Sequence, residues 1–339
     1  MSVPPPLLAK MRGLGFGAGA IGNLYREIDA LEAGAAVSAA IEHGVRYFDT
    51  APHYGFGLSE RRLGDALREV DPARQAVVST KVGRVLIPSI APDLRVSRQG
   101  FISPEPYESA FDYSRDGVLR SFEECRRRLG RDIDILFAHD LGRRTHGERH
   151  PAQFKLFMDE GYAAMRRLRD EGAVRAIGLG VNEWQICEEV LAQADLDAVL
   201  LAGRYTLLEQ GALDSFLPLC VQRGVAVIIG GPYNSGVLAR GERTAALANY
   251  DYCPADEEVT ARVEAMAAVC LRHGVPLAAA ALQFPLAHPA VLTVIPGMCS
   301  AEEVGDAARW MSTSIPAACW QELRELRLLR EDAPTPVST

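Results

Sequence analysis

The stretch VRYFDTAPHYG, residues 45–55, runs from branched and aromatic side chains into Asp49, Thr50 and a Pro-His-Tyr-Gly turn. A short apolar run closed by turn residues reads as a buried strand, and here polar groups stand where the strand runs out. The same grammar returns in VVSTKVG (77–83), closed by Lys81, and in DILFAHD (134–140), closed by His139. Eight such runs are spread along the chain: GLGFGAG, VRYFDT, AVVSTKVG, DILFAHD, AIGLGV, AVLLAG, VAVIIGG and VLTVIPG. Between them lie stretches of helical periodicity such as AAVSAAIEHG, SERRLGDALREV, SRDGVLRSFEECRRRLG and EEVTARVEAMAAVCLRHG. Strands alternating with helices predict a parallel sheet with crossover helices, and eight of them close an α/β fold of the (β/α)8 TIM barrel type.

At 339 residues the chain suits one such barrel, and no shift in composition marks a linker. The expectation is a single domain over 1–339, with a core from about 10 to 330 and a Pro-rich tail, EDAPTPVST. A hydrophobic share of 48% with 24% charged residues fits a protein that buries a large core. The net charge of −8 argues against a general partner of nucleic acid or anionic membrane, since both need clustered Lys and Arg. No run approaches the ~18 apolar residues of a membrane span, and the start has no secretory pattern. The seven cysteines, at 125, 187, 220, 253, 270, 299 and 319, show no metal-binding spacing, so no metal site is expected. Reduced thiols point to a cytoplasmic protein. Subunit count is left open.

Two connections exceed the few residues such links need. One runs from Arg84 to about Ser114 and is rich in proline and aromatics; the other runs from Tyr233 to about Asp256. Both are expected at the carboxyl-terminal face of the barrel, where active sites of this architecture lie. Each also reads as plain surface decoration.

Taken singly, Asp49 is a turn residue, Tyr54 a rim aromatic and His139 a core histidine. Lys81 is harder to set aside, because an ammonium at a buried strand end is costly without a carboxylate, and Asp49 is available. Together the four converge on one patch of the barrel mouth. A charged lysine beside a phenol lowers the phenol pKa from its usual ~10, which predicts a tyrosine usable in proton transfer near neutral pH.

The phrases FDTAPHYG, STK, LFAHD and IPG, in this order, resemble the aldo-keto reductases over nearly the whole chain. The resemblance implies a barrel that binds a nicotinamide cofactor extended, with Tyr54 as proton donor or acceptor supported by Lys81, Asp49 and His139. LLAGRYTLLEQ, GLGVNEW and IIGGPYNSG resemble the aldose 1-dehydrogenase branch, which includes L-fucose, D-threo-aldose and pyridoxal 4-dehydrogenases. Carried over residue by residue, Asn182 holds the nicotinamide carboxamide, and Gly230 and Pro232 fall where relatives place an aromatic that stacks on the ring. That platform is missing here, and Tyr233 lies nearby. Ala202 likewise replaces a glutamine of many relatives. After the last strand, where NADP-specific relatives place a Lys and an Arg, this chain has Gly297 and Glu303. A carboxylate repels a 2′-phosphate and accepts from a 2′-hydroxyl, so NAD is expected over NADP. Glu303 also reads as an ordinary acid at a helix start.

The resemblance points to oxidation of a free aldose at C1 to the lactone. For the sugar hydroxyls, His53, Asp140, Arg143 and Arg204 lie at or just after strand ends, where rim salt bridges also form. Trp184 reads as a sugar-facing ring or as a packing anchor. Gly15, Gly17 and Gly19 read as the first strand and its loop rather than a phosphate loop. Alternatives are a pyridoxal 4-dehydrogenase or general carbonyl reductase, and, from another class, a non-catalytic nicotinamide-binding redox sensor.

Overall fold

Every one of the eight apolar runs contributes a strand to a single parallel sheet. The computed structural model describes residues 3–89, 97–239, 249–250 and 253–337. The barrel strands are β1, in two pieces (Gly13–Leu14 and Phe16–Gly17), β2 (Tyr47–Asp49), β3 (Val77–Val82), β4 (Ile135–His139), β5 (Ala176–Val181), β6 (Ala198–Ala202), β7 (Ala226–Gly230) and β8 (Val291–Ile295). Neighbours in sequence are neighbours in space. The ring closes through β1, whose first piece pairs with Thr293 and Val294 and whose second pairs with Phe48 and Asp49. Gly15 separates the pieces, and a side chain there would not fit, since a Cβ would stand 2.7 Å from the Ile295 side chain and 3.0 Å from the Tyr47 ring.

Helices follow the strands with the caps that the sequence supplies. Asp29, Ser114, Asp256 and Ser300 accept from backbone N–H groups three residues on, starting the helices Ala30–Glu42, Arg115–Leu129, Glu257–Arg272 and Ala301–Met311. Each side-chain oxygen satisfies one of the N–H groups that a helix start leaves without a partner. No helix among the described residues is long and apolar enough to cross a membrane.

The apolar side chains form two layers. Those pointing outward from the strands pack under the helices. Those pointing inward, among them Tyr47, Val77, Ile135, Phe137, Leu200 and Ile228, fill the barrel itself. Leu7 and Met11 of the helix Pro5–Met11 join this inner cluster and plug the amino-terminal end. The carboxyl ends of the strands, opposite the plug, are left for chemistry.

Both long connections leave that face. The first contains an antiparallel ribbon, Arg84–Pro88 paired with Tyr107–Phe111, which its prolines concealed in the sequence. Its return segment is fastened across the mouth to the β1 loop, Tyr25 N–H donating to Gly100 O at 3.0 Å and Ile102 N–H to Asn23 O at 3.0 Å. Residues 90–96 of this connection lie outside the described residues. In the second, Asn249–Tyr250 pairs with Cys253–Pro254, and 240–248 and 251–252 lie outside the described residues.

Because the plug and the mouth occupy opposite ends, they separate in experiment. Leu7→Ala removes a fully buried side chain and is expected to cost about 2–4 kcal/mol of stability in denaturant titration, with turnover unchanged.

Candidate active site

The sequence nominations begin to meet at the end of β2. Asp49, its last residue, is buried, with one carboxylate oxygen 2.6 Å from Lys81 Nζ and the other accepting from Ser79 Oγ at 2.6 Å. Tyr47 OH donates in turn to Ser79 Oγ at 2.8 Å. Alternation along β3 puts Ser79 and Lys81 on the inner face together. Lys81 donates a second hydrogen bond to Thr50 O at 2.9 Å. Its ammonium then lies 4.7 Å from the centre of the Tyr54 ring. Tyr54 is set by the tight turn after β2, its N–H donating to Ala51 O at 3.1 Å.

His139 ends β4 beside this group, its ring edge-on to Tyr54 with centroids 6.0 Å apart. The residue is 6% exposed, and its Nδ1 has no hydrogen-bond partner among the described residues. Thus the four residues scattered over ninety positions of sequence form one contiguous cluster.

Room for the lysine comes from β5, which turns almost no side chain inward at this level. Gly180 stands opposite His139, and a Cβ on it would sit 3.1 Å from Lys81 Cε and 3.3 Å from Cδ. Neither Gly180 nor Ser79 was nominated from sequence, because nothing in a glycine or serine alone announces a site. The signal for Ser79 was its place two residues before Lys81 on a strand.

Burial works against the Lys81 ammonium, yet Asp49 and then Tyr54 outweigh it and hold the amine above its ordinary range. Burial pushes the Asp49 carboxyl upward, with Lys81 and Ser79 pulling it back. For Tyr54 the net result corrects the sequence expectation. Burial raises the phenol above its usual value, and Lys81 offsets this only in part. The resting site therefore holds a protonated tyrosine poised as a donor. His139 is held well below its usual value by burial, with Arg84 and Lys81 adding to it, and His53 is pulled down to about 2 by burial and Arg84.

The remaining nominations divide. His53 and Asp140 flank the cluster: His53 Nδ1 lies 3.5 Å from Arg84 Nη1, and Arg84 Nη2 donates to Asp140 Oδ2 at 2.6 Å. Asn182 Nδ2 donates to the other Asp140 oxygen at 3.3 Å, and Arg204 Nε donates to Asn182 O at 2.8 Å. A belt of hydrogen bonds so links the ends of five successive strands, β2 to β6. Arg84, its centre, was read from sequence only as the start of a loop. Arg143 instead faces outward beside Glu189, and Trp184 packs over Gly211, so both take the structural roles weighed above.

Gly230 ends β7 opposite Ala202, and Pro232 is buried just beyond. Tyr233 does not cover this rim; its ring packs edge-on against Trp310. Gly297 follows β8 and bridges to Gly17. Glu303 caps its own helix, with Oε2 accepting from Cys299 N–H at 2.7 Å.

A barrel with this cluster at its mouth has relatives, and the family model that matches, the aldo/keto reductase family, covers residues 13–328. The chain belongs to the aldo/keto reductase family. It is 43% identical to a pyridoxal 4-dehydrogenase of Microbacterium luteolum, covering 93% of this chain and 94% of that protein. It is 39% identical to a D-threo-aldose 1-dehydrogenase of a Pseudomonas species, covering 95% of each. Among solved structures, the holo form of an aldo-keto reductase from Bacillus halodurans superposes with a TM-score of 0.70 at 24% identity, over 95% of each chain, which supports the fold. As a member of this family the protein is an oxidoreductase.

Two outcomes follow from the geometry. Gly180→Ala forces the Lys81 stem aside and is expected to lower turnover by about tenfold or more with the circular dichroism spectrum kept; full turnover in that variant would show that Lys81 has slack. Separately, His53 and His139 are neutral when folded but protonate in the unfolded chain below about pH 6.5. Their folded pKa values are depressed, so their contribution is intact above that pH and declines below it, by about 1.4 kcal/mol per pH unit for each. Denaturant titrations at pH 7.5 and 5.5 check this, and His53→Asn is expected to flatten the dependence.

Proposed function

We propose that the protein oxidises a cyclic hemiacetal to its lactone, with a free aldose of the L-fucose or D-threo-aldose type reacting at C1 as the first substrate class. The observation that carries this reading is the contact of Lys81 with both Asp49 and Tyr54 beside a neutral His139. Tyr54 exchanges the proton of the C1 hydroxyl, and the paired ammonium stabilises the phenolate that this requires. His139 offers an uncharged hydrogen-bonding edge to the same oxygen. A nicotinamide nucleotide, when bound, supplies the hydride acceptor.

The residues fit such a group. The rim at Ala202 and Gly230 is bare of side chains beyond a methyl group, and a Cβ at Gly230 would crowd Leu200 at 3.1 Å. Asn182, Gly230, Pro232 and Gly297 are assigned to it, with His53, Asp140 and Arg204 facing the substrate. Glu303 favours NAD over NADP, because its carboxylate is fixed at the start of the helix that follows β8.

A second reading, pyridoxal as substrate, is supported by the 43% relative. Pyridoxal also closes to a cyclic hemiacetal, so the two substrates share one reaction. A screen of L-fucose, D-arabinose, L-galactose and pyridoxal, each with NAD and with NADP, read as absorbance of reduced nicotinamide, separates them. Activity with pyridoxal alone would eliminate the sugar reading.

Because burial keeps the phenol protonated, oxidation, which needs the scarce phenolate, is expected to speed up as pH rises from 7 towards 10, while reduction, which uses the dominant phenol, holds nearly steady over that range. Tyr54→Phe is expected to cost at least ~10²-fold in turnover with nucleotide binding retained, measured by fluorescence titration. Turnover undiminished in this variant would reject Tyr54 as the proton-transfer group and would also fit poorly with the site as drawn; nucleotide binding with no turnover in the unaltered protein would favour the redox-sensor alternative.

A further inference from the structure

The belt around the mouth contains an ion pair that takes no part in the proton transfer, yet that lies against one of its participants. Arg84 reaches Asp140 twice, with Nη2 at 2.6 Å and Nε at 3.1 Å from the same oxygen, Oδ2. That oxygen is 3.5 Å from His139 Nε2. Both members are largely withdrawn from water, Arg84 with 13% and Asp140 with 9% of the side chain exposed. The guanidinium is further fixed over the Phe111 ring at 4.3 Å. Asp140 sits in the left-handed backbone region at φ 54, which turns its carboxylate back towards the preceding residue.

We propose that Arg84 is a positioning residue, which by engaging the Asp140 carboxylate keeps His139 an uncharged hydrogen-bonding partner for the reacting oxygen. This rests on the reading of His139 given under Proposed function. The groups facing His139 are Tyr54 and His53 from the β2 loop, Lys81 from β3, Arg84 from the ribbon, Asp140 beside it, and Tyr113, whose hydroxyl donates to the His139 carbonyl at 2.6 Å. Among these, Asp140 is the acid. A carboxylate at 3.5 Å in a site withdrawn from water draws a proton onto an imidazole unless another cation claims the charge. Arg84 makes that claim, through a rigid fork suited to carboxylates.

The consequence for the imidazole is specific. With Asp140 near Nε2, the neutral ring carries its proton there, and Nδ1 keeps a lone pair. Nδ1 is the buried atom with no partner. Closed off from water and substrate alike, it has no acceptor for the second proton that an imidazolium would have to place there, so the charged ring is disfavoured once Arg84 has claimed the carboxylate.

The test is a titration of His139 in the full-length protein, labelled with 13C at histidine Cε1, its resonance assigned by its loss in His139→Asn. In the unaltered protein His139 is expected to remain neutral from pH 8 to pH 5. Arg84→Met is expected to raise its proton affinity at least tenfold, so that it titrates further into this range. Arg84→Lys is expected to restore most of the neutral behaviour, and so is the double variant Arg84→Met with Asp140→Asn, which also serves if the single variant folds poorly. With L-fucose or pyridoxal and NAD as probes, the Arg84→Met protein is expected to lose kcat towards acid pH more steeply than the unaltered protein, with KM for NAD little changed. A His139 resonance that titrates identically with and without the Arg84 guanidinium overturns the proposal. Absence of turnover by the unaltered protein on every sugar and on pyridoxal would instead count against the proposed function, while the titration still decides the role of Arg84.

Discussion

A single buried ion pair, Lys81 with Asp49, sets the terms for the rest of the molecule. Its members expose 1% and 3% of their side chains. Charges so withdrawn from water are tolerable only when their remaining hydrogen-bonding capacity is met. Thr50 O meets part of it for the amine, and Ser79 Oγ does so for the acid. The amine's remaining direction is Tyr54. The pair thus fixes which strands must be neighbours, which face of β3 turns inward, and why β5 carries glycine where a side chain would collide with the lysine stem.

The same economy governs the mouth. Two cations, Lys81 and Arg84, are each matched to one acid, Asp49 and Asp140, while two imidazoles stay uncharged between them. The tyrosine is consequently governed less by its charged neighbour than by its burial, which favours the protonated phenol. A phenol that resists ionisation makes a natural donor to a carbonyl and needs alkaline conditions to run the opposite way.

Most of the architecture was legible because period and punctuation carry it. Eight apolar runs closed by turn residues became eight strands, and Asp49, Tyr54, Lys81 and His139 were readable because polar groups stood where apolar runs ended. What escaped was whatever depends on contact between distant segments. The ribbon Arg84–Pro88 with Tyr107–Phe111 hides behind prolines and a separation of some twenty residues. Arg84 looked like any loop arginine until Asp140, on another strand, was brought to it. The phenol's direction of shift was misjudged because adjacency to a lysine shows in sequence, whereas the depth of burial does not. Tyr233 lay close in sequence to the bare rim, but Trp310 offered its ring a better apolar surface.

The belt from His53 through Arg84, Asp140 and Asn182 to Arg204 has a consequence for how this scaffold acquires new specificities. Its members restrain one another, so exchanging any one of them disturbs its neighbours and, through Asp140, the imidazole. Five of the eight strand ends are thereby frozen as a unit. Freedom to reshape the cup lies with the ribbon beyond Arg84, where a substitution perturbs the guest without retuning the proton chemistry beneath it.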